Sequence, residues 1–418
     1  MKIAHISYED GSGGAGRAAY RLHRALIDYG IESLMYVVKK TTNDPNVYVL
    51  NNSYEKKIAR LHKDLAKNVI KLSTKNKGRP KSLGYFSSRL IQKAEKSGCD
   101  IINLHWVGNE TVSINEISNA NKPIVWTLHD MWAFCGTEHY VDDVMDARYR
   151  IGYTTENKSL DCQWVDIDRW VWNRKKTAWK NPFTIISPSK WLSGCAKQSK
   201  IFKNWPVKVI PNPLDTNFFN TYDKMLCRKI LGLPLNIPLI LFGAPGGSKT
   251  PRKGFDLLVK AIDHLKDSGQ VVDANLVVVG QGRPTKEDNF GFPVHWMGRI
   301  NDDRLLILLY NSTDVVVVPS RQENLPQSVT EAQACGTPVV GFNVTGLPDV
   351  VEHKSTGYLA EPYSTEDLAR GIEWILEDSD RYNKLSVSAR ERAVRLWAPA
   401  VVVPQYLRIY EEATSSFS

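Results

Sequence analysis

Four consecutive valines at positions 315–318 are the feature that most limits what this chain can fold into. An unbroken run of β-branched residues is typical of a strand buried on both faces, as in a parallel sheet. Pro319-Ser320 would end this strand, and residues 327–335 have the pattern of a short helix that stops at Gly336. A second apolar run follows at 338–341, so the region predicts a strand–helix–strand unit.

The same alternation extends along the whole chain and predicts an α/β fold. With 418 residues the chain is too long for one core, so two doubly wound domains are expected, with a hinge near Asn212–Asp215. Strands are predicted at 2–7, 34–38, 101–104, 124–128 and 183–187, then at 239–243, 274–280, 295–298, 315–318 and 338–341. Helices are predicted at 17–29, 254–268, 302–311, 327–335, 368–377, 381–396 and 401–413.

Two glutamates follow the valine strand. Glu323 lies in the loop that follows it, and Glu331 lies about one turn into the next helix. Ligands bind at the carboxyl ends of strands in open α/β sheets, and a helix start favours phosphate. A carboxylate on each side of such a site can accept hydrogen bonds from sugar hydroxyls.

This arrangement resembles the E-x7-E motif of retaining glycosyltransferases of family 4, which have the GT-B fold. The phrase from Asp314 through Glu323, Glu331 and Thr337-Pro-Val-Val340 to Gly346 matches in order. The resemblance implies two Rossmann-like domains facing a central cleft: 1–211 for the acceptor and 212–396 for the nucleotide-sugar donor. It also implies that residues 397–418 form a helix that crosses back to the first domain.

The resemblance assigns the donor site to the second domain. Glu331 would bind ribose hydroxyls, and Glu323 would bind or position the transferred sugar. Backbone N–H groups of Asn324 and Leu325 would face the sugar or phosphate, whereas Pro326 has no N–H to donate.

The diphosphate requires cations, because charge builds on the leaving group as the glycosidic bond breaks. Arg252-Lys253-Gly254 matches the family's basic segment, with Lys253 as the phosphate ligand. The family's usual arginine after Gly243 is replaced by Ala244, so Lys249 or Arg252 would take that role, or the diphosphate is held more weakly.

Two further glycine segments lie between the matching blocks. Gly280-Gln-Gly282 ends a predicted strand in the family's style, and Gly298-Arg299-Ile300 resembles the loop that meets the base. Backbone contacts there would read the base edge, so UDP and GDP stay open as the nucleotide.

The first glycine loop fits G-x-G-x-x-G at Gly11, Gly13 and Gly16. A dehydrogenase would carry an acidic residue at the end of the second strand, but Lys39-Lys40 stands there, which disfavours that activity. The resemblance instead implies that Gly14 faces the donor, and we place Arg17 beside the acceptor.

His129-Asp130 follows a predicted strand and resembles the family's histidine that contacts the sugar. We therefore predict a catalytic His129, with Asp130 and His105 on the acceptor side. Cys135 and Cys162 are too few for the cysteine-rich metal role of some relatives. Four tryptophans at 164, 170, 172 and 179 either form a sugar or lipid platform or pack inside the domain.

The net charge of +9 is concentrated between Lys56 and Lys81, which hold ten Lys or Arg and one acid, Asp64. Apolar residues recur there at helical spacing, at 58, 61, 65, 69 and 72. Such a helix either lies on an anionic membrane or packs its apolar stripe on the sheet. Nucleic acid is not expected as a partner, because no binding module is recognised.

The resemblance implies sugar transfer from an NDP-sugar to a glycan hydroxyl with retention, for example on a lipid-linked O-antigen, capsule or exopolysaccharide unit. No cofactor is expected, and no metal, because Asp142-Asp143 is not placed as a metal motif. A nucleotide-sugar 2-epimerase and a non-catalytic sugar-nucleotide-binding protein are the alternatives. No apolar run reaches the roughly 18 residues of a membrane span, and no paired cysteine motif occurs, so we expect a cytoplasmic protein, either free or peripheral on the inner face of the cytoplasmic membrane.

Overall fold

The computed structural model describes residues 1–50, 53–75, 78–243, 246, 250–271, 273–283 and 291–417. The chain forms two compact units. The N-terminal unit comprises Met1–Pro213 and Val402–Ser418, and the C-terminal unit comprises Leu214–Val401. The predicted boundary after residue 211 lies two residues before the observed one, and the final segment belongs to the N-terminal unit.

The N-terminal unit is built on a seven-stranded parallel sheet with the order β3-β2-β1-β4-β5-β6-β7. Its strands are β1 (Lys2–Glu9), β2 (Glu32–Lys39), β3 (Val47–Val49), β4 (Ile101–Leu104), β5 (Ile124–Thr127), β6 (Thr184–Ser187) and β7 (Val207–Val209). Its helices before residue 213 are α1 (Gly13–Asp28), α2 (Ser53–Ser73), α3 (Leu90–Lys96), α4 (Ile114–Ser118), α5 (Arg148–Ile151), α6 (Ile167–Ala178) and α7 (Lys190–Gln198). The strand order reverses between β1 and β4, which is where such sheets bind ligands.

The C-terminal unit has a six-stranded parallel sheet with the order β10-β9-β8-β11-β12-β13. Its strands are β8 (Leu239–Gly243), β9 (Asn275–Val279), β10 (Val294–Trp296), β11 (Val315–Val318), β12 (Val339–Phe342) and β13 (Gly357–Ala360). Its helices are α8 (Lys224–Leu231), α9 (Phe255–Ser268), α10 (Asp303–Ser312), α11 (Gln327–Ala334), α12 (Leu347–Val350), α13 (Thr365–Leu376) and α14 (Ser379–Trp397), with a 3-10 turn at Pro251–Lys253. Here the order reverses between β8 and β11, so the valine strand borders the expected ligand crevice.

The last helix, α15 (Pro399–Phe417), packs on the sheet of the N-terminal unit. Val402, Tyr406 and Tyr410 are fully buried there, in one cluster with Ile3 and other side chains of that unit. The Tyr410 hydroxyl donates to Asn103 Oδ1 at 2.6 Å. The apolar spacing that predicted a helix at 401–413 therefore marks the face that covers the sheet.

The sequence missed strands β3, β7 and β13, helices α3 to α8 and α12, and one helix start. Strands β3 and β13 and helices α4 and α5 have three to five residues, too few to show a hydrophobic period. Helix α1 begins at Gly13, whereas the predicted helix begins at Arg17. The prediction left out the glycines before Arg17 because glycine disfavours helix in isolation. Tertiary packing requires one of them: a Cβ on Gly16 would lie 2.8 Å from the Glu9 carbonyl oxygen.

Candidate active site

Glu323 and two cations form a buried charged cluster after β11. Glu323 is 7% exposed. Its Oε1 lies 2.6 Å from Lys253 Nζ and accepts from Ser320 Oγ at 2.8 Å, and its Oε2 lies 3.4 Å from Arg252 Nη1. Burial would raise the pKa of Glu323, but Lys253 and Arg252 lower it to about 2. The carboxylate is thus ionised at neutral pH, and both predicted phosphate cations are held against it.

Backbone docking explains how these cations reach Glu323. The 3-10 turn lies against the loop after β11: Arg321 N donates to Arg252 O at 2.8 Å, and Arg252 Nη1 donates to Gln322 O at 2.5 Å. The next residue, Gly254, has φ +68°, and a Cβ there would lie 1.8 Å from Pro319 O. Only glycine permits this approach, so Gly254 is required for the packing of this turn, whereas Arg252 and Lys253 supply its charge.

A second loop fixes the backbone of Glu323 from the end of β12. Glu323 N donates to Thr345 Oγ1 at 3.0 Å, and Gly346 N donates to Glu323 O at 3.0 Å. A Cβ on Gly346 would lie 1.6 Å from the Asn324 carbonyl oxygen. Gly346, which the sequence offered only as part of the matching phrase, therefore permits the close contact that shapes the site.

Glu331 lies in α11 with its carboxylate inside the unit. It is 2% exposed, and its Oε2 accepts from the Tyr310 hydroxyl at 2.7 Å. Asn324 and Leu325 are also buried, at the turn before α11. The sequence did not identify Tyr310, which belongs to α10 and meets Glu331 only through the fold.

The remaining donor-side predictions follow strands β9 and β10 of the same parallel sheet. Gly280 follows β9 with φ +99°, and its N donates to Gly298 O at 2.7 Å, so the two glycine segments adjoin. The Arg299 side chain is exposed. Ala244 and Lys249 lie outside the described residues, so the replacement of the usual arginine stays a prediction.

In the N-terminal unit, three histidines form a row: His5 lies within β1, His105 directly follows β4, and His129 follows β5. His129 Nε2 lies 3.1 Å from His105 Nδ1, and His105 Nε2 lies 2.9 Å from His5 Nδ1. His129 is partly exposed, whereas His105 and His5 are buried. Burial lowers the pKa of His129 to about 4, although Asp130 opposes that shift. His129 is therefore neutral at pH 7, and His105 lies behind it in the interior.

Asp130 is tied into the unit. Its Oδ2 accepts from Trp106 Nε1 at 2.6 Å and lies 2.5 Å from His139 Nδ1, and its Oδ1 accepts from Trp132 N at 2.9 Å. Burial would raise the pKa of Asp130, but His139 and these donors lower it. Both oxygens are engaged in shaping the loop after β5, so Asp130 supports that loop, and its assignment to the acceptor stays a prediction. The sequence missed its partners, since they are distant along the chain.

Gly14 and Arg17 lie in the first turn of α1, beside the point where the strand order reverses. Gly14 is exposed, and a Cβ there would meet no described heavy atom within 4 Å. Arg17 is partly exposed. The first turn contains no acidic residue, which suits an anion at this helix start.

The four tryptophans divide between the two predicted roles. Trp172 and Trp179 are buried in the core. Trp164 is 82% exposed, and Trp170 stacks on Tyr85 with ring centroids 6.0 Å apart. The packing prediction is therefore correct for Trp172 and Trp179. The platform stays a prediction for Trp164 and Trp170.

Two family models match consecutive parts of the chain. "Glycosyltransferase Family 4" matches residues 12–218, and "Glycosyl transferases group 1" matches residues 238–392. The chain belongs to glycosyltransferase family 4.

Curated relatives agree over part of their length. A D-inositol 3-phosphate glycosyltransferase of Xylanimonas cellulosilytica is 33% identical over 225 residues, which are 50% of this chain and 52% of that protein. A second one, from Corynebacterium aurimucosum, is 30% identical over 223 residues, with the same coverage. The chain thus spans about half the length of the curated relatives it matches.

Solved structures match over nearly the whole chain and show the GT-B fold of this family 4 member. Sucrose-phosphate synthase from Thermosynechococcus elongatus aligns with a TM-score of 0.68 at 20% identity, covering 99% of both chains. Anabaena Alr3699/HepE, solved in complex with UDP and glucose, aligns with a TM-score of 0.65 at 19% identity, covering 99% of this chain and 100% of that one.

Proposed function

We propose that this family 4 member transfers a sugar from a nucleotide diphosphate sugar to a hydroxyl of a glycan acceptor, with retention at the anomeric carbon. The observation that carries the proposal is the buried cluster of Lys253, Arg252 and Glu323 at the reversal point of the C-terminal sheet. Both the cluster and its position suit a phosphorylated sugar. UDP is the first nucleotide to test, because UDP occupies the HepE neighbour.

In the proposed reaction the chain's own residues bind and orient. Lys253 and Arg252 hold the diphosphate and stabilise the charge that develops on it as the glycosidic bond breaks. Glu323 accepts from a sugar hydroxyl and keeps the two cations in place before the donor arrives. His129 is assigned a hydrogen bond to the sugar.

Two further features belong to the same proposal. The reaction needs no metal, and the acceptor attacks the sugar on the same face that the diphosphate leaves. Two cationic side chains supply positive charge for the leaving phosphate without a divalent ion. Glu331 is held by Tyr310 and assigned to ribose, so a double displacement with Glu331 as nucleophile is disfavoured. The leaving phosphate would instead take the proton of the acceptor hydroxyl.

A donor screen by thermal shift tests the proposal directly. We expect one nucleotide class to stabilise the wild type by about 2.7 kcal/mol at a concentration of 100 Kd. In Glu331→Gln the amide still accepts from Tyr310, but the charge-assisted bond to ribose is lost. That variant is expected to lose about 1.4 kcal/mol or more of the stabilisation.

Tyr310→Phe is the matched control for the screen. It removes the 2.7 Å hydrogen bond to Glu331 but leaves the carboxylate, so its nucleotide shift is expected to persist. If no nucleotide sugar shifts the wild type, the donor site is wrong. If Glu331→Gln responds like the wild type, Glu331 does not bind the ribose.

A lipid-linked acceptor, and with it a position at the inner face of the cytoplasmic membrane, is supported by helix α2. Most of its predicted stripe is exposed, with Leu61 56%, Val69 42% and Leu72 69% exposed, whereas Ala66 and Ile70 of the same helix pack on the core of the N-terminal unit. Six basic residues around it are exposed, at 56, 57, 60, 67, 71 and 75. Within the described residues, no helix is long and apolar enough to cross a bilayer. Apolar and basic groups together suit an anionic lipid surface.

Cosedimentation with phosphatidylserine-containing vesicles tests this surface. The double variant Leu61→Asp/Leu72→Asp is expected to reduce the bound fraction about tenfold, because it removes apolar burial and adds repelling charge. Leu226→Asp/Ile230→Asp alters side chains of α8 that are 55% and 56% exposed, and should bind as the wild type does. Absence of wild-type binding would refute the membrane proposal and leave the donor site untouched.

A further inference from the structure

The histidines behind His129 form a row with a defined direction. Ring centroids are 5.3 Å apart between His129 and His105 and 5.2 Å apart between His105 and His5. Each contact joins an Nε2 to an Nδ1. In a neutral imidazole one nitrogen carries a proton and the other accepts, so the tautomer of one ring determines that of the next.

The surroundings favour neutral rings. Burial lowers the pKa of His5 and His105 well below the usual value and that of His129 to about 4. Beyond the row, the ring of His23 lies edge-on to His5, with centroids 5.9 Å apart. His23 Nδ1 lies 2.7 Å from Ser33 Oγ, and its Nε2 lies 3.9 Å from Asp44. Asp130 therefore lies beside the outer ring of the row, His129, whereas Asp44 lies beside His23, outside the row.

The inner end of the row selects its direction. His5 Nε2 is buried and has no hydrogen-bond partner among the residues the structure describes. An orphaned N–H is rarer in protein interiors than an orphaned acceptor, so this nitrogen is the unprotonated one. His5 then donates from Nδ1 to His105, and His105 donates from Nδ1 to His129. His129 is left with its proton on Nδ1.

We propose that His5 and His105 are positioning residues that fix His129 as the neutral Nδ1–H tautomer, a hydrogen-bond donor to the sugar nucleotide. This role rests on the proposed glycosyl transfer. A neutral donor suits an oxygen of the sugar or phosphate without making His129 a competing base. The row does for His129 what a carboxylate does for many active-site histidines, namely setting the tautomer by the bond on the other nitrogen.

The test combines histidine NMR with kinetics on the full chain. Two-bond 1H–15N spectra of 15N-histidine protein distinguish Nδ1–H from Nε2–H, and His129→Asn identifies the His129 signal among the nine histidines. We expect Nδ1–H in the wild type. His5→Leu removes the donor to His105 and should shift His129 toward Nε2–H, lowering kcat about tenfold with little change in KM. His5→Asn, whose amide N–H replaces Nδ1–H, should restore both.

His23→Leu is the matched buried control, since it lies outside the row and should leave the His129 tautomer and kcat unchanged. An Nε2–H signal for wild-type His129 overturns the inference. So does a normal kcat in His5→Leu with a changed tautomer, or an equal loss of kcat in His23→Leu. If no nucleotide sugar is turned over at all, glycosyl transfer fails as the function, and the NMR result still decides the tautomer.

Discussion

Lys253→Ala is expected to lower kcat/KM for the donor by about a thousandfold, the largest catalytic loss from a single change in this chain. Lys253 Nζ lies 2.6 Å from Glu323 Oε1, and in the proposed reaction it exchanges this contact for one with the leaving diphosphate. Arg252 lies 3.4 Å from the same carboxylate, and it cannot keep its own position and also take the place of Lys253 at the diphosphate. Initial-rate kinetics with the donor found by thermal shift would measure the effect.

The loss of Lys253 also leaves a buried carboxylate without its main partner, which costs about 3 kcal/mol. The double variant Lys253→Ala/Glu323→Gln separates the two effects, because it removes the buried charge together with its cation. We expect its stability to recover toward the wild type while kcat/KM stays low. A Lys253→Ala enzyme within tenfold of the wild type would show that the diphosphate is held elsewhere.

Gly254→Ala is expected to lower the stability of the C-terminal unit by about 3 kcal/mol or more. The added Cβ would lie 1.8 Å from the carbonyl oxygen of Pro319, a backbone atom that ends β11. To relieve this overlap the 3-10 turn must move away from the loop after β11. Lys253 and Arg252 would move with it, so nucleotide binding is expected to fall as well. Thermal unfolding with and without nucleotide reads both effects.

Gly269→Ala is the matched control, because both glycines flank helix α9 in the same backbone conformation. Gly269 has φ +67° and Gly254 has φ +68°, but a Cβ on Gly269 would meet nothing within 4 Å of described atoms. The control therefore reports the left-handed backbone strain alone, about 1 kcal/mol. Equal losses in the two variants would contradict the steric explanation.

The α/β class and the two-domain division follow from sequence because they depend on local patterns. Buried parallel strands are short apolar runs, and the predicted runs at 315–318 and 239–243 coincide with β11 and β8. The positions of Glu323 and Lys253 beside glycines and strand ends were visible for the same reason. The exposure of the apolar stripe of α2 was not visible in the sequence, since a helical period shows that a face is apolar but not what covers it.

What the sequence determined by itself is the alternation of strands and helices and the residue types at the strand ends, because hydrophobic period and turn residues act over a few positions. Only the tertiary structure decided which distant side chains meet. Tyr310 reaches Glu331, His139 and Trp106 engage Asp130, and His5 stands behind His105. These contacts are set by strand order and packing, which bring residues up to 100 positions apart to one edge of a sheet, and no local pattern encodes that distance.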